Sequence, residues 1–172
     1  MMGSVLTFLV LSFPVRLEGY AMVGPVMSDF KDGAISFSQT VRELGAGVHV
    51  AYLGGYLLRK TDPLLSRSPI QGWGLKLGPF YAYSFWGSPS QDRVFERYRA
   101  LVDLSGLRIG VSLFSKKGME NEKLLALWGE LDFILDNTFD LVVGVSEVKF
   151  WNSDLEVSPR IVLGVRAYFP KR

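Results

Sequence analysis

Residues 71–86 read QGWGLKLGPFYAYSFW, and they decide the fold because bulky and small side chains alternate along them. Such alternation is typical of a β-strand whose two faces meet different environments. One face carries Trp73, Leu75, Leu77, Pro79, Tyr81, Tyr83 and Phe85, and the other carries mostly Gly, Ala, Ser and Lys. A water-facing surface would usually carry Lys, Glu, Thr and Gln, whereas small residues suit the crowded interior of a narrow barrel. The stretch therefore predicts a barrel strand whose bulky face points outward.

The same alternation recurs along the chain and predicts a closed, antiparallel, up-and-down β-barrel that spans a membrane. About eight strands are expected, at about residues 18–28, 34–43, 46–59, 71–86, 93–114, 122–135, 139–151 and 159–169. Two segments leave alternatives open. Residues 121–136 fit a helix as well as a strand, although Gly129 weakens the helix. Ser105–Gly106 marks either a bulge or a hairpin turn, and residues 93–104 alone would fit a short helix.

Composition excludes several classes of protein. The 172 residues are 48% hydrophobic and 21% charged, which excludes a disordered or low-complexity chain. The absence of Cys excludes thiolate catalysis, disulfides and zinc–thiolate or iron–sulfur sites, and a single His leaves little for a transition metal to bind. We therefore expect no cofactor and no metal. The net charge is +2 with acids and bases interspersed, so no nucleic-acid partner is expected.

The N-terminus predicts export. Residues 1–14 read MMGSVLTFLVLSFP, and residues 5–13 are apolar apart from Thr7 and Ser12. A run of about nine residues is too short to cross a bilayer as a helix but suits the core of a signal peptide. The alternative is a buried N-terminal strand. We assign residues 1–17 to a signal peptide and residues 18–172 to a single barrel domain.

Connections and aromatic residues fit a membrane barrel. Longer polar connections alternate with shorter ones at residues 44–45, 87–92 and 136–138, as outer loops alternate with periplasmic turns. Aromatic residues gather toward the strand ends, where an amphipathic ring is well solvated at a bilayer interface. The predicted aromatic girdle consists of Trp73, Tyr81, Tyr83, Phe85, Trp151 and Phe169.

On these features, residues 18–172 resemble the small eight-stranded outer-membrane β-barrel family, the OmpA/OmpX-like class. The resemblance lies in the alternation, the Gly-rich inner faces, the aromatic strand ends and the closing strand near Phe169. It implies a location in the cell outer membrane and outer-membrane lipids as partners. That family commonly ends in an aromatic residue, whereas here Pro170, Lys171 and Arg172 follow Phe169.

Strand parity predicts a polar cluster inside the barrel. Its members are Lys76, Arg108, Glu130, Asp132, Arg166 and His49. A small barrel is filled by side chains, so these charges are expected to pair with one another and to leave no open channel. A polar path or a small ligand site is the alternative. Basic loop pieces at residues 66–68 and 115–118 make lipopolysaccharide phosphates a candidate partner.

The sequence favours a structural or surface-interaction role. A soluble, lipocalin-like ligand-binding barrel is the first alternative, and its bulky face would point inward. A lipid-modifying barrel enzyme is the second, with His49 as the base and Ser36, Ser38, Ser84 or Ser112 as the nucleophile. The sequence does not decide whether the chain is an enzyme, and it gives no oligomeric state.

Overall fold

The computed structural model describes residues 15–31, 34–61, 69–87, 94–116, 119–150, 155, 157 and 159–170. Within these residues the chain forms ten β-strands: β1 (Val15–Lys31), β2 (Ala34–Val50), β3 (Leu53–Thr61), β4 (Ile70–Leu77), β5 (Phe80–Trp86), β6 (Val94–Asp103), β7 (Leu107–Lys116), β8 (Met119–Ile134), β9 (Phe139–Lys149) and β10 (Arg160–Phe169). Among them no helix is long and apolar enough to cross a membrane.

Every strand is antiparallel to its sequence neighbours, and β1 also pairs with β10, which closes the sheet into a barrel. Exposed and buried residues alternate along the strands, as on β4 and β5, because successive side chains point to opposite faces. The predicted all-β, closed, antiparallel, up-and-down barrel is therefore confirmed. The segment at 121–136 that also fitted a helix is part of strand β8.

The two ends of the barrel differ in their connections. Tight turns at residues 51–52, 78–79, 104–106 and 135–138 lie at one end, which we call the turn end. Val15 and Phe169 lie at the same end, because β1 begins there and β10 finishes there. The opposite end, which we call the loop end, holds the connections at residues 32–33, 62–69, 87–93, 117–118 and 150–159.

The expected count of eight strands is wrong, because two hairpins lie inside segments that were assigned to single strands. Residues 71–86 reverse at Gly78–Pro79, where Leu77 pairs with Phe80 and Gly78 has a φ of 57°. Residues 93–114 reverse at 104–106, with Gly106 at a φ of 102°. A positive φ is easily adopted by glycine, so both turns are local properties of the sequence.

The expected turn at residues 44–45 is also absent, since β2 continues through it to Val50. The chain turns instead at Ala51–Tyr52, where Ala51 has a φ of 53°. The connection at 87–92, which was expected among the short turns, lies at the loop end because the extra hairpin at Gly78–Pro79 reverses the chain once more before it.

The export segment falls mostly outside the described residues, which begin at Val15. Residues 15–17, placed at the end of that segment in the sequence analysis, are the first residues of β1. They pair with Val50, His49 and Val48 of β2.

Candidate functional site: the charged interior and the apolar outer surface

The outer surface of the barrel is apolar over most of its height. Outward-facing side chains include Leu53, Leu57, Leu75, Leu77, Leu127, Leu131, Leu141, Leu163 and Val165, which are between 39% and 70% exposed. Among the described residues, the charged side chains that project outward from the strands lie toward the loop end, at Arg42, Arg59 and Lys123. The structure therefore has a broad apolar belt that ends at a basic boundary.

The interior holds the opposite kind of side chain, gathered in two clusters. The turn-end cluster consists of Glu18, His49, Asp103, Arg108, Glu130, Asp132 and Arg166. The loop-end cluster consists of Glu43, Lys60, Glu96, Arg99, Glu147 and Arg160. Most of these side chains are less than 8% exposed, so each charge depends on its partners rather than on water.

Two arginines hold the turn-end cluster together. Arg166 contacts Asp132, and it lies 2.8 Å from Glu130 through Nη2 and 3.1 Å from Glu18 through Nε. Arg108 lies 3.0 Å from Asp103 and 3.6 Å from both Glu130 and Asp132. These contacts join β1, β6, β7, β8 and β10 across the interior.

His49 belongs to the same cluster and is bound on its Nε2 side. Nε2 lies 2.5 Å from the Tyr56 hydroxyl and 3.1 Å from Glu18 Oε2. The Tyr56 hydroxyl donates to the same Glu18 oxygen at 2.9 Å. The Tyr56 hydroxyl and the Glu18 carboxylate thus both contact Nε2 of His49.

The contacts of His49 with described residues are to Tyr56 and Glu18, and neither Ser84 nor Ser112 is among them. Ser112 donates its hydroxyl to Glu96 in the loop-end cluster, and Ser84 lies on the outward face of β5 opposite Trp73. The side chains of Ser36 and Ser38 lie outside the described residues. Within the described residues no group of three or more His, Asp and Glu side chains is arranged to hold a metal ion.

The loop-end cluster was missed in the sequence analysis, and it is balanced in formal charge. Arg99 donates to both oxygens of Glu43 at 2.8 Å and to both oxygens of Glu96 at 2.8 and 2.9 Å. Lys60 lies 3.0 Å from Glu96 and 3.2 Å from Glu147. Arg160 lies 2.8 Å from Glu147, so three cations meet three carboxylates.

Bulges explain why alternation did not reveal two of these carboxylates. Arg97 is an extra residue on β6, and the consecutive residues Phe95 and Glu96 are both 1% exposed. Glu147 is an extra residue on β9, with a φ of 62°. A bulge shifts the inward and outward parity of its strand, so period-two counting places the residue on the wrong face.

Trp128 separates the two clusters. Its ring lies 3.8 Å from the guanidinium carbon of Arg99, and its indole nitrogen donates to Glu130 at 3.2 Å. One side chain thus stacks on the loop-end cluster and hydrogen-bonds the turn-end cluster. A nearby interior cavity, lined in part by Glu43, Trp128 and Arg160, has a volume of only about 10 Å³, about enough for one water molecule.

Tyr81, Tyr83 and Phe85 lie inside the barrel, not in the outer girdle where the sequence analysis placed them. They are 2–5% exposed, because the two-residue turn at 78–79 reverses the parity of the strand that follows it. Tyr83 pairs across the sheet with Gly74, and Phe85 with Gly72. The rings lie where a side chain on those glycines would be, so the inner glycines make room for aromatic rings.

The other predicted positions divide as follows. Trp73 and Phe169 face outward, 46% and 71% exposed, and Trp151 lies outside the described residues. Arg108, Glu130, Asp132, Arg166 and His49 point into the interior and belong to the turn-end cluster. Lys76 also points inward, with its amino nitrogen 4.9 Å from the centre of the Tyr81 ring.

An apolar outside and an ion-paired inside define a class of protein, because this arrangement is found in transmembrane β-barrels and is the reverse of a soluble barrel. No protein-family model matches the chain, and no curated protein matches it. A search of solved structures finds the crystal structure of Ail, the attachment invasion locus protein of Yersinia pestis. The identity is 15%, with 90% of this chain and 97% of that chain covered, and the TM-score is 0.31. At that TM-score the likeness assigns neither a family nor a role.

Proposed function

We propose that the chain is a small integral outer-membrane β-barrel with a structural or surface-interaction role. The apolar belt is the observation that carries this proposal. On β8, the outward residues between Lys123 and Phe133 are uncharged. Ten residues at about 3.3 Å each and a tilt of about 40° give a height of roughly 25 Å, which matches the apolar band of such barrels.

The filled interior argues against a function as a pore for diffusing solutes. A water-filled pore needs a continuous open lumen, whereas here two ion-paired clusters and Trp128 fill the described interior. A soluble lipocalin-like barrel would bury its leucine and valine rows around a ligand. These rows are exposed, and the interior cavity beside Trp128 is too small for an organic ligand.

Cell fractionation tests the proposal. The chain, expressed with its first residues in a Gram-negative host, is expected in the outer-membrane pellet and should resist extraction with urea. It should also change its gel mobility on heating, as a closed barrel that resists detergent does. Recovery in the soluble extract would refute membrane insertion and favour the lipocalin-like alternative.

Conductance measurements test the filled interior separately. The purified protein in a planar lipid bilayer is expected to give no steady open current. Trp128→Ala serves as the comparison, since it removes the side chain between the two clusters. A large, stable current from the unmodified protein would refute the filled interior while leaving the membrane location intact.

A further inference from the structure

Two arginines project from the outside of the barrel at the loop-end edge of the apolar belt. Arg42 on β2 pairs with Thr61 on β3, and Arg59 on β3 pairs with Leu44 on β2. The two arginines are therefore diagonal neighbours on adjacent strands, within reach of one shared ligand. Both are exposed, and neither is ion-paired with a carboxylate of the described residues.

An apolar groove lies below these arginines, on β2 and β3 and on the flanking strands β1 and β4. It has a volume of about 450 Å³, and its outward lining consists of Leu17, Ala46, Val48, Gly55, Leu57 and Trp73. Gly55 and Ala46 form its floor because they are small. A side chain added at Gly55 would meet no atom within 4 Å, so the groove is open to the outside of the barrel at this residue.

The groove and the arginines are aligned along the strands. Ala46 lies four residues from Arg42 on β2, and Gly55 lies four residues from Arg59 on β3. Four residues span about 13 Å along a strand, or roughly 10 Å of depth at a tilt of about 40°, so the floor of the groove lies in the loop-end half of the apolar belt. An acyl chain in the groove would thus place its headgroup at the level of the arginines.

We propose that Arg42, Arg59 and this groove bind one phosphate-bearing lipid of the membrane leaflet at the loop end. The guanidinium groups take the phosphate, because paired Arg donors suit phosphate oxygens. The acyl chain fills the groove at Gly55, beside the exposed ring of Trp73. This inference rests on the proposed membrane location. Since the longer loops of such barrels face the outside, the lipid is lipid A of the outer leaflet.

Charge complementarity favours a lipid over a second copy of the chain. Two copies related by a two-fold axis along the membrane normal would keep their arginines at the same depth. If this groove were their interface, the arginines of both copies would face each other with no carboxylate of the described residues between them. An anionic lipid supplies the opposite charge at that place.

Native mass spectrometry in detergent micelles doped with lipid A tests the proposal. The unmodified protein is expected to retain one lipid A and to bind its dephosphorylated form much more weakly. Arg42→Gln with Arg59→Gln should weaken binding about thirtyfold, from the loss of two charges near the surface. Gly55→Leu should also lose the lipid, because it fills the groove without meeting neighbouring atoms.

Matched controls come from a second outer groove around Gly129, which has a volume of about 560 Å³. The nearest outward cation above this groove on β8 is Lys123, which lies six residues from Gly129. This groove therefore differs from the first one, where two arginines lie four residues above the floor. Lys123→Gln and Gly129→Leu should retain the lipid. Equal losses in the controls, or a dimer abolished by Gly55→Leu, would overturn the proposal. A protein that fractionates with the outer membrane but shows no preference for phosphate would refute the lipid site alone.

Discussion

Arg99 is the central cation of the loop-end cluster, so its removal tests whether the interior holds the barrel together. Arg99 is 2% exposed and donates four hydrogen bonds to Glu43 and Glu96. Its guanidinium also lies 3.8 Å from the ring of Trp128. Arg99→Met keeps much of the side-chain length but leaves the cluster with two cations and three carboxylates.

The cost follows from the carboxylate that loses its partner. Glu96 still has Lys60 at 3.0 Å, whereas the hydrogen bond that Glu43 keeps within the described part of the chain is the one that the Tyr20 hydroxyl donates at 3.0 Å. Four charge-assisted bonds at about 1.5–3 kcal/mol each would overstate the loss, because Met no longer carries a charge that must be buried. We therefore expect Arg99→Met to lower the free energy of unfolding by about 3–5 kcal/mol, the range for breaking a buried ion pair.

A compensating variant shows whether the unpaired charge is the cause. Glu43→Gln with Arg99→Met restores two cations against two carboxylates, and the Gln oxygen can still accept from Tyr20. The double variant should be more stable than Arg99→Met by about 1–3 kcal/mol.

Urea unfolding in lipid vesicles, followed by tryptophan fluorescence and by gel mobility, measures both variants. This account of the interior would be refuted if Arg99→Met lowered the free energy of unfolding by less than about 1 kcal/mol. It would also be refuted if the double variant were no more stable than Arg99→Met.

Three further predictions follow from the wall and the belt. Gly47→Leu should lower the free energy of unfolding by about 1–3 kcal/mol, because the Tyr56 ring occupies the space of the new side chain, whereas Gly55→Leu should be nearly neutral. Leu127→Lys, on the apolar belt, should cost about 2–4 kcal/mol, and Thr61→Lys at the basic boundary much less. Finally, mass spectrometry of the exported protein should show that the mature chain retains Val15, since it pairs with β2.

Each of these predictions can fail clearly. Equal costs for the two glycine variants in urea unfolding would mean that the inner glycine does not make room for the ring. A tolerated lysine at Leu127 would mean that the belt faces water. A mature N-terminus beyond residue 17 would mean that the first residues of β1 are dispensable for closing the barrel.

Much of the fold could be predicted because it depends on local alternation. Leu107, Ile109 and Val111 face outward on β7, and Arg108 faces inward between them, as the sequence indicates. The same holds for Glu130 and Asp132 on β8 and for Arg166 on β10. These residues lie on strands without a bulge near them, so counting by twos reaches the correct face.

Turns account for the wrong strand count. Gly78–Pro79 was counted inside a strand, although a proline in the middle of a strand removes a hydrogen-bond donor and Gly-Pro marks a turn. After this turn the odd-numbered residues change from the outer to the inner face. The sequence does not reveal the change, because Tyr81 and Tyr83 are accepted on either face of a membrane barrel. The turn at Ala51 gives no such signal, since alanine at a φ of 53° is fixed by the hairpin around it.

Ten strands also explain what fills the interior. A wider barrel leaves more space than Gly, Ala and Ser could fill, so long side chains must cross it. Lys60 on β3 reaches Glu96 on β6 and Glu147 on β9, which are strands from different parts of the wall. The bulges at Arg97 and Glu147 bring these carboxylates to one amino group. The bulges are therefore part of the interior packing. Alternation in the sequence identifies each strand by itself, so it does not predict where β6 and β9 shift register to bring their carboxylates to Lys60 on β3.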